Sequence, residues 1–401
     1  MNEYVGMSVA ILGSGAQGSV IAYFLSKGFS FSEIRLGDIN QLKAEKVRRW
    51  IGGNITTSKV DAGKVDEVKN FIKGCDVVVN AVEPRFNLSI LEASYLAGVN
   101  YQDLAFGPPY ENLRHQLAYD SKFRENSLIA LTATGFSPGL SNALVGFTMG
   151  KYGELRSIKL RVYGVLEGRR AYLTWSPLTM LEDTMLKPLI FRKGVYEELE
   201  HFSESETYTF PEPVGPKTVY PRIHEEIFTF PKFVNGLEYV DIKFGGRGIE
   251  LLKDLYYLGF LSEDTIEVEG WKIRRIDLTA LMLPKPPEPE EVAKLLNEDP
   301  NVESYGFYVV ETVTKKDQKI TYTIPFLDIR TIQSIIPGVT HVSYQTSIPA
   351  AIFTAMIVKN EIKERGVLPP ECINTETLMK YLKKVGENGI KITQHIEEII
   401  N

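Results

Sequence analysis

The stretch Ser8–Val20, S-V-A-I-L-G-S-G-A-Q-G-S-V, constrains the fold more than any other part of the chain. An apolar run (Val9, Ala10, Ile11, Leu12) meets glycines at 13, 15 and 18, and a helical pattern (Val20, Ile21, Phe24, Leu25) begins at once. This is strand, tight turn, helix, with the glycines at the G-x-G-x-x-G spacing of a dinucleotide-binding turn. Gly13 permits the sharp turn, Gly15 lets backbone approach a pyrophosphate, and Gly18 lets helix and strand pack closely. Ser14, Ala16 and Gln17 fill the loop, and the amides at the helix N-terminus face the anion. A second strand is expected over 31–36, and Asp38 then stands twenty residues beyond Gly18. A carboxylate there accepts hydrogen bonds from an adenosine ribose and repels a 2′-phosphate. With no arginine at 39 or 40, that favours NAD over NADP as cofactor.

The same alternation continues to about residue 135. Strands are expected over 55–60, 75–82, 99–104 and 128–133, and helices over 42–50, 65–72, 89–97 and 111–126. Such βα units build a Rossmann-type α/β domain, a doubly wound parallel sheet. After Gly135 strands dominate. Ile320, Tyr322, Ile324 and Phe326 alternate with more polar residues, the period of a half-exposed antiparallel strand. From 347 the pattern is helical again, with two short helices expected after Pro370. The expected organisation is a dinucleotide-binding domain over 1–138, rejoined by C-terminal helices over 345–401. The intervening 139–344 forms a second α+β domain on a mixed or antiparallel sheet, for substrate binding and dimerisation.

Composition narrows the partners. At 401 residues the chain exceeds what one core supports, and 44% hydrophobic with 24% charged residues is ordinary for a globular protein. A net charge of −6 offers no basic surface for nucleic acid or a membrane. No apolar run reaches the ~20 residues of a membrane-spanning helix, and no signal peptide is apparent. Two distant cysteines, Cys75 and Cys372, suggest no disulfide framework and a reducing cytoplasm. Five histidines without C-x-x-C or H-E-x-x-H spacing suggest no metal site.

Beyond the glycine turn, several segments occur in a fixed order: D-V-V-V-N-A-V-E-P-R-F-N (76–87), G-V-N-Y-Q-D-L-A (98–105), T-A-T-G-F-S-P-G-L-S-N (132–142), Y-L-T-W-S-P (172–177), F-G-G-R-G (244–248) and T-S-I-P-A-A-I (346–352). Over nearly its whole length the chain therefore resembles the saccharopine dehydrogenase-like family. That family includes saccharopine reductases, carboxynorspermidine dehydrogenases and lysine 6-dehydrogenases. Chain length and the F-R-K-G and G-G-R-G contexts look most like lysine 6-dehydrogenase. The resemblance implies an NAD(P)-dependent oxidoreductase acting on a CH–NH or CH–NH2 group of an amino acid or polyamine-type substrate through an imine, as a homodimer. Saccharopine or carboxynorspermidine is the alternative substrate. A non-catalytic NAD-binding sensor with the same fold is the alternative of another class.

Amine oxidation needs a neutral amine and a group to move protons. Asp103, ending the fifth strand at the family's acidic position, is the first candidate for that role, and His341, which titrates near neutrality when unperturbed, is the second. For the cofactor, Asp61 and Ala62 end the third strand near the adenine, and Asn80, Ala81 and Val82 run beneath the nicotinamide ribose. Glu83, Tyr101, Trp175, Ser176, Arg247 and Thr346 are the candidates for substrate, with Arg247 able to clamp a carboxylate bidentately. Arg169 and Arg222 are lesser candidates for the same task.

Overall fold

The computed structural model describes residues 6–107, 110–169, 172–173, 176–285, 287, 289–385 and 389–398. Contacts divide the chain into two units. The first comprises Met1–Tyr152, Phe228–Phe233 and Ser343–Ile390; the second comprises Gly153–Ile227, Val234–Val342 and Lys391–Asn401.

The first unit opens with β1 (Ser8–Leu12), whose five residues are all buried, as expected of a strand covered on both faces. It continues through α1 (Ala16–Tyr23), β2 (Glu33–Asp38), α2 (Gln41–Ile51), β3 (Ile55–Lys59), α3 (Val65–Ile72), β4 (Val77–Asn80), α4 (Asn87–Ala97), β5 (Asn100–Asp103), α5 (Tyr110–Leu117), α6 (Asp120–Glu125), β6 (Ile129–Leu131) and α7 (Leu140–Tyr152). Helix α4 stops at Gly98, which takes the left-handed conformation (φ 68°) and donates to the Ser94 and Tyr95 carbonyls. The sheet order is Gly366–Leu368, β6, β5, β4, β1, β2, β3, and every pairing is parallel. The chain thus winds outward both ways from the β1–β4 boundary, where open sheets of this kind place their ligand. The α/β expectation holds. The single helix expected over 111–126 is two helices, α5 and α6.

The second unit is built on a nine-stranded mixed sheet. Its long central strand β7 (Leu155–Glu167) is followed by α8 (Pro177–Met185), β8 (Leu189–Arg192), β9 (Val195–Glu198), β10 (Glu206–Thr209), β11 (Pro216–Pro221), α9 (Glu226–Phe233), β12 (Tyr239–Gly245) and α10 (Arg247–Tyr257). A hairpin, β13 (Thr265–Val268) and β14 (Trp271–Arg274), then leads to α11 (Arg275–Met282), α12 (Pro289–Glu298), β15 (Glu303–Thr314), β16 (Gln318–Pro325) and α13 (Ile329–Ile335), and α14 (His341–Val358) belongs from Ser343 onward to the first unit. β7 pairs in parallel with β12 on one side and antiparallel with β15 on the other. A charged strut crosses this sheet. Arg161 on β7, 1% exposed, donates bidentately to Asp241 on β12 (2.7 and 2.8 Å) and to Glu206 on β10 (2.5 and 3.2 Å), and Lys243 reaches Glu206 at 2.9 Å. Burying a guanidinium is tolerable only with this degree of pairing.

Two expectations for the C-terminal part are corrected. The helix expected from 347 begins at His341 and carries Pro349 in its interior. After the short 3-10 helix Pro370–Cys372 and α15 (Glu376–Lys384), no further helix forms among the described residues. Thr393–Glu398 is a strand, paired antiparallel with β16 from Thr323↔Thr393 to Gln318↔Glu398. All six of its residues are exposed, so no one-faced pattern exists from which to read it. Among the described residues, no helix is long and apolar enough to cross a membrane.

Candidate functional site

In the first unit two glycines of the β1–α1 turn, Gly13 and Gly18, are tied to a geometric need. Gly13 has φ 97°, and a Cβ there would lie 2.7 Å from the Ala81 carbonyl oxygen. A Cβ on Gly18 would lie 2.0 Å from the Gly13 oxygen. A Cβ on Gly15 meets nothing within 4 Å, so this glycine borders open space. No side chain caps α1 after Gly15, which leaves its first amides for an anion. Asp38 closes the loop from β2: its Oδ2 accepts from the Ser14 amide (2.8 Å) and hydroxyl (2.6 Å), and its Oδ1 accepts from the Asn40 amide (2.8 Å). The residues present fit a dinucleotide. Asp61 accepts from the Gly63 amide at 3.0 Å, the Ala62 carbonyl accepts from Ser89 at 2.6 Å, and the Ala81 amide is held by Leu12 at 2.8 Å. The Ser347 hydroxyl donates to the Gln17 carbonyl at 3.3 Å, so the T-S-I-P segment returns to the glycine turn.

Asp103 ends β5 only 1% exposed, and its carboxylate is enclosed. It accepts from the Tyr101 hydroxyl (2.9 Å), the Gln116 amide (2.9 Å), Thr132 Oγ1 (3.0 Å) and the Ala133 backbone amide (2.6 Å). Its own carbonyl accepts from the Thr134 amide (2.9 Å) and hydroxyl (2.7 Å). Ala133 sits at φ 62°, a conformation that costs free energy for a residue with a Cβ, and Asp103 is what holds it there. Burial raises the Asp103 pKa to about 6, against the hydrogen bonds from Ala133, Tyr101, Thr132 and Gln116 that lower it. Tyr101 is fully buried, and its hydroxyl also accepts from Asn80 at 3.1 Å; burial and then Asp103 push its pKa well up. Asn80 in turn donates to Asn87 (2.7 Å) and accepts from the Val82 amide (3.1 Å). Asp103, Tyr101, Asn80 and Val82 therefore belong to one network. Nearby in sequence Glu83 stays 66% exposed and pairs with Arg85 at 2.6 Å. Thr346 packs against Gly135.

The S-P-G-L-S-N segment hides a second network. Asn142, fully buried, accepts from the Gly139 amide (2.9 Å) and donates to Thr229 (3.0 Å) and Glu371 (2.9 Å).

In the second unit, α8, the loop after β11 and the end of β12 bring charged side chains together. Arg222 is fixed by its amide, which donates to the Ile242 carbonyl at 3.0 Å, and its guanidinium donates to Thr184 at 3.0 Å. His224 bonds Glu226, lies 3.5 Å from Glu225, and tilts over the Phe244 ring at 5.4 Å. Burial lowers the His224 pKa, but Glu226, Glu225 and Asp183 outweigh it and hold the imidazole protonated, at about 9. Burial raises the Asp183 and Glu225 carboxyls. His224, Glu225 and Glu226 present ligand atoms all within 4.8 Å of one another. A metal there would have to displace the imidazolium proton, so the trio is better suited to organic cations. Of this cluster, sequence reasoning singled out only Arg222. The R-I-H-E-E run directly after a strand was its only trace.

Of the remaining second-unit candidates, Ser176 caps α8 by accepting from the Thr179 amide at 3.4 Å. Arg247, at the start of α10, is 69% exposed and pairs with Glu167 at 3.1 Å. His341 is 6% exposed; burial lowers its pKa to about 4, and its Nδ1 has no hydrogen-bond partner among the described residues. Trp175 lies outside the described residues.

The first unit is thus a dinucleotide-binding fold of the dehydrogenase type, and the second carries a mixed-charge cluster. Family comparison carries this further. Residues 9–131 match the saccharopine dehydrogenase NADP binding domain, and residues 135–390 match the saccharopine dehydrogenase C-terminal domain. The chain belongs to the saccharopine dehydrogenase family and is an oxidoreductase of that family. It is 26% identical over 393 residues to carboxyaminopropylagmatine dehydrogenase of Synechocystis sp., covering 95% of this chain and 96% of that one. It is 24% identical to carboxynorspermidine synthase of Vibrio cholerae, with 95% of each chain covered. Its fold matches saccharopine dehydrogenase (L-Glu forming) from Saccharomyces cerevisiae with a TM-score of 0.72 at 15% identity, over 97% of this chain and 100% of that one. A homospermidine synthase from Legionella pneumophila in complex with NAD matches with a TM-score of 0.71 at 13% identity, over 98% and 92%. These matches show the family; they do not show lysine 6-dehydrogenase.

Proposed function

We propose that this chain is an NAD(P)-dependent dehydrogenase of a carboxylated polyamine, of the carboxynorspermidine or carboxyaminopropylagmatine type. The observation that carries the reading is the second unit's cluster, in which Asp183, Glu225 and Glu226 outnumber the cations Arg222 and His224. Carboxylates gathered in this way suit an ammonium or guanidinium group. The names of the two relatives above point to the same substrate class.

When bound, the nicotinamide supplies or accepts the hydride. In the reducing direction an amine and an aldehyde condense to an imine with loss of water. The protonated imine carbon then accepts hydride, leaving a secondary amine and the oxidised nicotinamide. The reverse reaction consumes the water and releases a proton. The chain's own contribution is orientation and charge. Gly13, Gly15, Gly18 and the α1 amides hold the pyrophosphate; Asp38 takes the ribose hydroxyls and favours NAD. Asp103 acts by positioning the T-A-T-G stretch through Ala133, and His341, neutral at working pH, has no proton to give.

The test is NAD+ and NADP+ reduction by the purified protein with carboxynorspermidine, carboxyaminopropylagmatine, saccharopine and lysine. Turnover of a carboxylated polyamine at least tenfold above the other two is expected. Turnover confined to lysine or saccharopine, or none with any amine, overturns the reading.

A further inference from the structure

A serine or threonine inside a helix usually turns its hydroxyl to solvent or back to the carbonyl four residues earlier. Thr148, Thr184 and Thr354 do the second, reaching the Leu144, Met180 and Ala350 carbonyls at 2.8, 2.8 and 2.9 Å. Ser347 on α14 does neither. It is fully buried, and its hydroxyl leaves its own helix for Gln17 on α1, 3.3 Å from the carbonyl oxygen and 3.5 Å from Oε1. One proton shared between two oxygens of the same residue keeps both contacts a little long. Tyr344, one turn earlier on α14, meets the Phe24 ring just after α1 at 5.6 Å, so the two helices touch at two points of the first unit. An amide presents its oxygen and nitrogen on opposite sides. With Oε1 turned to Ser347, the half-buried Gln17 directs its NH2 away, and among the described residues nothing accepts from it. Gln17 is the second residue of α1, two after Gly15, which borders open space.

The placement of Ser347 is itself built. Pro349 lies inside α14 and has no amide to donate, so the helix loses one hydrogen bond of its ladder two residues beyond Ser347. Gln102 on β5 holds the helix from outside at that point. Side chains alternate along a strand, so Gln102 faces the other way from Tyr101 and Asp103. Fully buried, it donates to the Ala350 carbonyl and to Thr134 Oγ1, both at 2.9 Å, and accepts from Thr354 Oγ1 at 2.9 Å. Its amide is thereby satisfied at both ends, and α14 is pinned to β5 at Ala350 and Thr354.

We propose that Ser347 is a positioning residue for the cofactor, holding Gln17 by its oxygens so that the Gln17 NH2 donates to the dinucleotide pyrophosphate. A glutamine side chain left loose would have to be ordered when the dinucleotide binds, and one already held loses less freedom. The inference goes beyond the substrate reading and does not depend on it, because the pyrophosphate is the same whichever amine is oxidised.

Equilibrium binding tests this without any turnover. NADH and NADPH are titrated into the full chain and followed by nicotinamide fluorescence. Ser347→Ala should weaken both by about threefold to tenfold, the range of one hydrogen bond. The ratio of the two affinities should stay as it is, since both carry the same pyrophosphate. Ser347→Thr and Ser347→Val share a shape and differ in the hydroxyl, so any cost of the added methyl cancels between them. The Thr variant should bind about threefold to tenfold more tightly than the Val variant, whereas a serine that only packed would leave the two alike. Gln17→Ala should weaken binding at least as much as Ser347→Ala, and adding Ser347→Ala to it should change affinity by less than about twofold more. The urea midpoint of each cofactor-free variant reports that it is folded. Four results overturn the assignment: Ser347→Ala binding as tightly as the intact protein, equal affinities for the Thr and Val variants, effects of Ser347→Ala and Gln17→Ala that multiply, or no binding of either dinucleotide to the intact chain.

Discussion

Asp103→Asn separates a buried titrating carboxyl from an ordinary structural one. The carboxyl's pKa is raised from 3.8 to about 6, so the folded state binds its proton more tightly than the unfolded chain. The sign follows: stability from this group is greatest when it is protonated and falls as pH rises from about 4 to about 6. With a tenfold change in affinity equal to ~1.4 kcal/mol, ionisation costs the folded state about 3 kcal/mol in total. Roughly half of that, about 1.4 kcal/mol, is spent between pH 5 and pH 8. The hydrogen bonds explain why both states survive. Thr132 Oγ1 has one proton and two acceptors, Asp103 at 3.0 Å and Gln116 Oε1 at 2.7 Å. When Asp103 is protonated it can donate to Thr132, and Thr132 to Gln116; when it is ionised, Thr132 turns to it.

Asparagine cannot do both. Its oxygen can keep the Ala133 amide, but its NH2 then meets the donors of Tyr101 and Gln116, each 2.9 Å from Asp103 Oδ2. At pH 5 the variant should be less stable by about 1–3 kcal/mol, the cost of buried donors left unpaired. At pH 8 that deficit should shrink by about 1.4 kcal/mol, because the native protein then carries an ionisation cost the variant lacks. Urea unfolding at constant ionic strength measures this, with Trp50 of the first unit as the sole fluorophore in a Trp175→Phe, Trp271→Phe background. Parallel stability profiles for the two proteins between pH 5 and pH 8 would refute the argument.

Other expectations are independent of that network. Asp38→Ser keeps a short polar side chain beside Ser14 but removes the negative charge, so the NADP+ to NAD+ ratio of dissociation constants should move about tenfold toward NADP+; an unchanged ratio would remove Asp38 from cofactor choice. Asp241→Asn leaves Arg161, 1% exposed, without its bidentate partner and should cost about 3–5 kcal/mol of second-unit stability in urea unfolding. Arg247→Gln removes an exposed ion pair with Glu167 and should change stability by less than about 1 kcal/mol, with substrate KM unaltered. A tenfold rise in KM there would return the carboxylate-binding role to Arg247.

The legibility of this chain follows the range of its interactions. Gly13, Gly15, Gly18 and Asp38 could be placed because their needs are local: one turn, one helix start and the end of the next strand. The doubly wound sheet followed from strands such as β4, whose V-V-V-N is buried throughout and reads as an unbroken apolar run. Asp103 was singled out by position, yet the sequence carries no sign that its carboxylate turns inward to Ala133. That depends on Gln116 and Thr132 arriving from α5 and the end of β6. The Thr393–Glu398 strand was unreadable for the opposite reason: an exposed edge imposes no pattern.

The second unit's cluster is the instructive case. Asp183, Arg222 and Phe244 lie on three elements, and no spacing rule joins them. What joins them is the sheet: β11 meets β12 through Tyr220↔Phe244 and Pro221↔Lys243, which sets Arg222 and His224 at the end of β12. Thr184 then ties α8 to the same point through Arg222. Fold pairing put the charges side by side, and the chain used them in two ways. At Arg161 the charges were matched and buried, which holds the sheet. At Arg222, among the described residues, the guanidinium makes a single hydrogen bond, to Thr184.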